Sequence, residues 1–157
     1  IRKAEREGVT VERFDVGRDF EQFIRLMEST ERRHGREPKY SSAFYAALAR
    51  LAEQNDRIWW RVVNHEGRLV ASHIYLIDET IALYWQACLD KEMSALKANQ
   101  YMLHTTIQSM RDRDMLALNL GQSPTEAEGM STVKRKWGAQ TYSYPTYTSR
   151  SLLGRLA

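Results

Sequence analysis

The stretch that decides the fold is RIWWRVVNHEGRLVASHIYLIDETIALYWQACL, residues 57–89. It contains three runs rich in apolar, β-branched and aromatic residues, at 57–64, 68–78 and 80–89, which are typical of strands. The connections HEG and DE between them are short enough for antiparallel hairpins. We therefore predict a meander of three antiparallel strands at the centre of the domain.

The segment before this meander predicts helices with one strand among them. Residues 1–8 form a charged helix that ends at Gly8, and residues 9–14 alternate like a strand. Asp19 and Gln22 resemble a capping box and are predicted to open the next helix. A further helix is capped by Ser41 or Ser42, and its predicted buried side carries Phe44, Leu48 and Leu51.

The segment after the meander predicts two helices and two strands. Residues 92–112 have the stripe of the longest helix, and the apolar run at 115–121 is typical of a strand buried at a sheet centre. A short helix carries STVKRKWG at 131–138, and 140–148 alternates like a strand. The chain is thus predicted to be one α/β (α+β) domain over residues 1–157, with a mixed, largely antiparallel sheet flanked by helices.

Composition narrows the function classes. The chain has 157 residues, of which 43% are hydrophobic and 27% charged, with a formal net charge of +3. Cys88 is the one cysteine, so no internal disulfide can form, which favours a reducing, cytoplasmic location. The run at 69–77 is too short to span a bilayer. The mild positive charge permits anionic substrates but does not require nucleic acid.

Most of the common catalytic patterns are missing from the sequence. The four histidines, His34, His65, His73 and His104, have no metal-ligand spacing, so no metal is predicted and surface or satisfied core positions are expected. Ser123 is not in a G-x-S-x-G elbow. No P-loop and no G-x-G-x-x-G occurs.

Two features stand out from this background. Gly121 ends an apolar strand, where it lets the chain turn at the edge at which α/β sheets bind ligands, although it could equally serve the turn alone. On the helix at 131–138, Met130, Val133 and Trp137 share one stripe, which we expect to face the core. Lys134 lies at the edge of that stripe and Arg135 nearly opposite. Lys134 therefore either serves a cleft or only extends along apolar surface.

The segments that carry a family resemblance are IRKAEREGV, LYWQACLD, ANQYMLHTTI, LNLGQS and VKRKWG. In these segments the sequence resembles the FemAB-like branch of the GNAT acyltransferase superfamily. The resemblance covers the whole chain, and it is most specific at Leu120–Gly121 and at KRKWG, 134–138. Members usually carry an aromatic residue before that lysine, where this chain has Val133. The branch includes peptidoglycan-bridge aminoacyltransferases and proteins tied to exopolysaccharide export, with two GNAT-like lobes side by side. The start at Ile1, without Met, fits a second, C-terminal lobe whose N-terminal partner lobe is missing.

The resemblance implies an acyl or aminoacyl transferase that acts on an amine of a cell-envelope precursor. It assigns Lys134 to the developing oxyanion, where a fixed donor stabilises the transition state by a few kcal/mol. It assigns Arg2 or Lys3 to the phosphates of a nucleotide-linked precursor. Gly121, at the predicted strand end, and Ser123 after it are also predicted to bind the substrate. Further substrate contacts are predicted for Tyr84 and Gln86, polar residues on one face of the strand at 80–89, although Tyr84 could equally pack in the core.

The chain resembles ordinary GNAT enzymes in its predicted fold but differs from them in the segment before the long helix. Acetyl-CoA users place a glycine-rich loop there, whereas KEMSALKANQ (91–100) has no glycine. Side chains at Ala95, Leu96 and Ala98 are expected to crowd a diphosphate. The prediction is therefore no tightly bound cofactor and a donor such as aminoacyl-tRNA, with acetyl-CoA as the alternative. A third alternative is a GNAT-like lobe that binds a precursor without catalysis.

Overall fold

The computed structural model describes residues 1–123, 128–143 and 145. The described helices are α1 (Arg2–Arg6), α2 (Val16–Arg33), α3 (Ser42–Gln54), α4 (Ala98–Arg111) and α5 (Glu128–Lys136). The described strands are β1 (Thr10–Arg13), β2 (Ile58–His65), β3 (Arg68–Asp78), β4 (Ile81–Leu89) and β5 (Ala117–Asn119). The chain forms two compact units, residues 1–121 and 122–157.

A mixed sheet of five strands lies in the first unit, in the order β1-β2-β3-β4-β5. Strands β1 to β4 pair antiparallel, and β5 pairs parallel to β4 after the crossover through α4. The predicted meander and the predicted mixed, largely antiparallel sheet are confirmed. The prediction of a buried central strand at 115–121 is wrong, because β5 lies at an edge of the described sheet and Leu116 is 81% exposed.

Helices cover both faces of this sheet. Because adjacent strand residues point to opposite faces, Val62 packs with α2 and α3 while Val63 packs with α1 and α4. Both valines are fully buried. The first unit is therefore a three-layer arrangement in which α2 and α3 define one face of β4 and α4 defines the other.

Trp60 is the largest side chain in the core beneath α2 and α3, and it is 2% exposed. Its ring stacks on Phe14 with centroids 4.0 Å apart, and Phe23 meets it edge-on at 4.8 Å. The indole Nε1 donates to Ser72 Oγ at 2.8 Å, so its polar group is satisfied. Cys88 is buried in the same cluster, and burial raises the pKa of its thiol.

Helix α2 begins four residues earlier than the predicted capping box. Asp15 is the N-cap, and its carboxylate accepts from the Arg18 main-chain N–H at 2.8 Å. Asp19 reaches back to accept from the Asp15 N–H at 2.9 Å, and it also accepts from the Arg18 guanidinium. The predicted cap at Asp19 is wrong, because this fully buried carboxylate supports the start of the helix from inside it.

Helix α3 has the predicted cap but buries a different stripe. Ser41 accepts from the Phe44 main-chain N–H at 3.2 Å, which confirms one of the two predicted caps. The buried residues are Tyr45, Ala49 and Ala52, whereas Phe44 and Leu51 are exposed. Ala49 and Ala52 allow the helix to lie close to its neighbours, and Tyr45 is the one large side chain among its buried residues.

Two further predictions concern the C-terminal half. The predicted helix at 92–112 is divided into a short 3-10 turn at Ser94–Leu96 and α4, because Lys97 adopts a left-handed conformation with φ of 58°. The longest described helix is α2, with 18 residues. Residues 140–143 and 145 form no strand, and the rest of the strand predicted at 140–148 lies outside the described residues. Within the described ranges, no helix combines the length and apolarity that crossing a bilayer requires.

Candidate active site

A β-bulge in β4 sets the direction of the predicted substrate residues. Ile74 of β3 pairs with Gln86 and Tyr75 pairs with Tyr84, so Trp85 is the extra residue. Tyr84 therefore points toward α4, where its hydroxyl lies 3.0 Å from His73 Nε2. Gln86 points toward α2, where its Nε2 donates to Met27 Sδ at 3.2 Å. The prediction that Tyr84 and Gln86 share a face is wrong, because the bulge shifts the alternation by one residue.

The pairing between β4 and β5 ends just before this bulge. Three parallel pairs join the strands, from Ile81–Ala117 to Leu83–Asn119, and no further pair follows among the described residues. Beyond them Gly121 adopts φ of 73°, and a Cβ there would lie 3.4 Å from the Tyr84 carbonyl oxygen. The β4 edge from Tyr84 onward thus presents main-chain groups to an opening between two parallel strands.

A buried polar cluster lies beneath Tyr84 on the α4 side. His73 Nδ1 is 2.9 Å from the Tyr75 hydroxyl, and His73 Nε2 is 2.6 Å from Asn99 Oδ1 in the first turn of α4. With an amide oxygen facing Nε2, that nitrogen carries the proton and Nδ1 accepts from Tyr75. The Tyr84 oxygen accepts from the same Nε2–H, so its own proton is directed elsewhere. Burial raises the pKa of Tyr84, which keeps the phenol a neutral donor.

This cluster makes folding sensitive to pH. Burial lowers the pKa of His73 to about 4, whereas an unfolded histidine titrates near its ordinary value of about 6.5. Between pH 6.5 and 4 the histidine of the unfolded chain is protonated while His73 of the folded chain is still neutral. The free energy of unfolding therefore falls as the pH drops from about 6.5 to 4. We expect a loss of about 3 kcal/mol over that range from this group. Chemical denaturation at pH 7.0, 5.5 and 4.5 measures it.

The matched variant for this pH dependence is His73→Gln, which keeps polar atoms but does not titrate. Its stability should be lower at pH 7 and should decline less between pH 7 and 4.5 than that of the unaltered chain. Parallel pH curves for the two proteins would contradict the assignment to His73.

The segment before α4 differs from the expectation of a crowded loop. Leu96 and Ala98 are buried in the core, so of the three predicted obstructing side chains only Ala95 is exposed. Lys97 adopts the left-handed conformation that glycine usually supplies, and none of the side chains that the structure describes caps the first turn of α4. The crowding argument is therefore wrong for two of its three residues. An uncapped helix start of this kind suits a negatively charged group.

The second unit contains the other predicted site residue, Lys134. Its Nζ donates to the Gln122 carbonyl oxygen at 2.9 Å, and burial lowers its pKa. Lys134 is half-buried, whereas Arg135 is exposed, as the helical geometry predicts. Met130 and Val133 are 48% and 54% exposed, so the prediction that they face the core is wrong. Trp137, the third residue of the predicted stripe, is half-buried.

The sequence model of the Acetyltransferase (GNAT) domain family matches residues 1–129. The chain belongs to the GNAT acetyltransferase family. A comparison with curated proteins gives no match.

Solved structures share this GNAT fold at low sequence identity. A possible acetyltransferase from Clostridium difficile 630 has a TM-score of 0.68 and 13% identity, over 92% of this chain and 98% of its own. The aminoglycoside acetyltransferase meta-AAC0020 from an uncultured soil metagenomic sample, in complex with trehalose, has a TM-score of 0.70 and 14% identity, over 91% and 97%. AAC(6')-Iy in complex with the bisubstrate analog CoA-S-monomethyl-acetylneamine has a TM-score of 0.73 and 9% identity, over 91% and 99%.

Within the GNAT fold, the predicted site residues fall in different places. Tyr84 and Gly121 are brought together at the β4–β5 opening, and Gln86 lies on the opposite side of β4. Arg2 and Lys3 are exposed on α1. Ser123 is half-buried, and it lies in the segment of chain that connects β5 to α5.

The sequence analysis gives no site role to the three residues of the polar cluster beneath Tyr84. His73 contacts the Tyr84 hydroxyl, and Tyr75 and Asn99 bond to His73, which is a buried, hydrogen-bonded histidine as one of the two expected alternatives for the histidines had it. The available signal was a histidine and a tyrosine two residues apart within an apolar strand, where side chains share a face. Asn99 carried no such signal, because its contact depends on where α4 packs.

Proposed function

We propose that the chain is an N-acyltransferase that moves an acyl group to an amine at the β4–β5 opening, with acetyl-CoA as the first donor to test. The observation that carries this proposal is the end of β4–β5 pairing at Leu83–Asn119, immediately before the bulge at Trp85. Membership of the GNAT acetyltransferase family supports the donor, and so does the uncapped start of α4.

The described residues supply three sets of hydrogen-bond donors for such a reaction. Acetyl-CoA would bring a thioester carbonyl that is open to attack by an amine. Main-chain N–H groups at the β4 edge can donate to the carbonyl oxygen as negative charge develops. The first-turn N–H groups of α4, around Asn99, can bind an anionic part of the donor. The Tyr84 hydroxyl remains a proton-bearing donor because its burial disfavours the phenolate.

The test is direct. Isothermal titration of the chain with acetyl-CoA, followed by an assay of thiol release with a panel of amines, measures donor binding and transfer. Micromolar binding together with amine-dependent thiol release supports the proposal. Binding without transfer to any amine favours a non-catalytic lobe instead, and absence of binding removes acetyl-CoA as the donor.

A substitution at Gly121 tests the position of the site. A valine there would place its Cβ 3.4 Å from the Tyr84 carbonyl oxygen and fill space at the opening, so Gly121→Val should lower donor binding or transfer by at least about tenfold. Gly35→Val is the matched control, because Gly35 has a similar φ of 68° but nothing within 4 Å of its Cβ position. Both variants carry about 1–2 kcal/mol of backbone strain. Equal transfer rates in the two variants would place the site elsewhere.

A FemAB-like aminoacyltransferase is the second candidate. It rests on the resemblance at Leu120–Gly121 and KRKWG, and on the half-buried ammonium of Lys134, which the resemblance assigns to the oxyanion. In this form the donor is aminoacyl-tRNA, the acceptor is a peptidoglycan or exopolysaccharide precursor, and the chain is the C-terminal lobe of a longer protein. Transfer from a charged tRNA, with none from acetyl-CoA, would select this candidate.

A further inference from the structure

A second concave site lies on the α2 side of the sheet. It is a groove of about 660 Å³ between α2, the start of β3 and the residues after β4, and we call it the α2 groove. Its charged lining residues are Arg25, Arg33, Arg68, Asp90, Lys91 and Glu92. The volume is within the range of about 300–1,000 Å³ that small-molecule sites occupy.

The two carboxylates of the α2 groove are already paired with one of its cations. Arg68 Nη2 lies 2.5 Å from Asp90 Oδ2 and 3.2 Å from Glu92 Oε2. Asp90 is buried, and one of its oxygens also accepts from the Glu92 main-chain N–H. Asp90, Glu92 and Arg68 together carry one net negative charge, so with the other three lining cations the charged lining residues have a net charge of +2.

The other three cations of the α2 groove are Arg25, Arg33 and Lys91. Each has either a weak ion pair or no acidic partner among the described residues. Arg25 meets Glu21 at 3.7 Å, and both side chains are largely exposed. Arg33 donates to the Leu89 carbonyl oxygen at 3.4 Å. Within the described residues, neither Arg33 nor Lys91 forms an ion pair with a carboxylate. Arg33 and Lys91 thus border the α2 groove without a carboxylate partner among the described residues, and Arg25 has only a long, exposed one.

We propose that the α2 groove binds the phosphoryl group of a small-molecule ligand. Guanidinium groups match phosphate oxygens with two parallel donors, and a lysine ammonium adds a point charge. Ser29 lines the groove between Arg25 and Arg33, one helical turn from each, and its hydroxyl can donate to the same group. A phosphate ester or diphosphate carries the multiple negative charge that this excess of cations favours.

The α2 groove is separate from the site proposed for the acyl donor. It lies on the face of the sheet that α2 covers, whereas the start of α4 lies on the other face. Leu89, whose carbonyl Arg33 contacts, is four residues beyond Trp85, which is about 13 Å along the strand. A phosphorylated ligand held by Arg33 could therefore extend along β4 toward the bulge.

Isothermal titration of the full chain with sodium pyrophosphate tests this proposal without any acyl transfer. We expect a dissociation constant below about 1 mM at low salt, which rises between 50 and 200 mM NaCl as screening increases. In the double variant Arg33→Gln/Lys91→Gln the affinity should fall at least about tenfold. The control Arg32→Gln/Arg50→Gln removes the same charge at exposed positions that do not line the groove, and it should bind within about twofold of the unaltered chain.

A third variant covers the case in which the double substitution disturbs folding. Ser29→Asp adds a negative charge at an exposed helix position in the groove and should abolish pyrophosphate binding. The proposal is overturned if pyrophosphate does not bind at about 10 mM, or if the Ser29→Asp variant and the control bind equally well.

Discussion

For the FemAB-like candidate, replacing Lys134 with alanine should lower the rate of aminoacyl transfer about 10²- to 10³-fold while changing thermal stability little. The expected loss is that of one fixed donor to an oxyanion, the role that the FemAB-like resemblance gives this residue. Burial lowers the pKa of Lys134, and its Nζ is oriented by the Gln122 carbonyl oxygen at 2.9 Å. Such a restrained ammonium needs little reorganisation to stabilise developing charge. Steady-state rates of transfer from a charged tRNA provide the measurement.

The neighbouring cation supplies the control for this prediction. Arg135 is exposed on the same helix, and its guanidinium donates to Thr132 Oγ1 at 3.1 Å. Arg135→Ala therefore removes the same formal charge, and we expect it to retain nearly the full rate. If Lys134→Ala were as active as Arg135→Ala, the oxyanion role would be withdrawn and only a surface position would remain.

The second large effect is expected for stability. Trp60→Ala should reduce the free energy of unfolding by about 3–5 kcal/mol, because it removes the buried ring between Phe14 and Phe23 and leaves a cavity. It also leaves the Ser72 hydroxyl without its indole donor in a buried position. Urea denaturation followed by circular dichroism measures the change.

Phe44→Ala is the matched control for Trp60→Ala. Phe44 is 39% exposed and stacks on Tyr40 at 4.5 Å, so its removal should reduce stability by only about 1 kcal/mol. A similar loss for both variants would mean that the aromatic cluster extends the core outward through Phe44, as the sequence had suggested.

The sequence predicts the sheet well where local patterns and long-range packing agree. The runs at 57–64, 68–78 and 80–89 became β2, β3 and β4, because apolar strands joined by short turns have few alternative arrangements. The parallel position of β5 at the edge is not local information. It depends on the crossover through α4, which the apolar run at 115–121 cannot reveal.

The errors in the candidate site have physical causes at single residues. The alternation along 80–89 gives no sign of the extra residue Trp85. It therefore predicts Gln86 on the same face as Tyr84, whereas the bulge directs Gln86 toward α2. Lys97 lacks the glycine signature of a left-handed position, so the break before α4 was missed. In both cases a backbone feature that the side-chain pattern does not encode determines which groups meet.

The buried thiol of Cys88 has a practical consequence for experiments in solution. Burial raises its pKa, so very little thiolate forms at neutral pH and alkylating reagents should find it unreactive while the chain is folded. Because the chain has no other cysteine, a new one placed at an exposed position could carry a fluorophore or a spin label selectively. A label at Arg32, for example, which is exposed on α2 next to Arg33 but does not line the α2 groove, would report on occupancy of the groove with the native cysteine left in place.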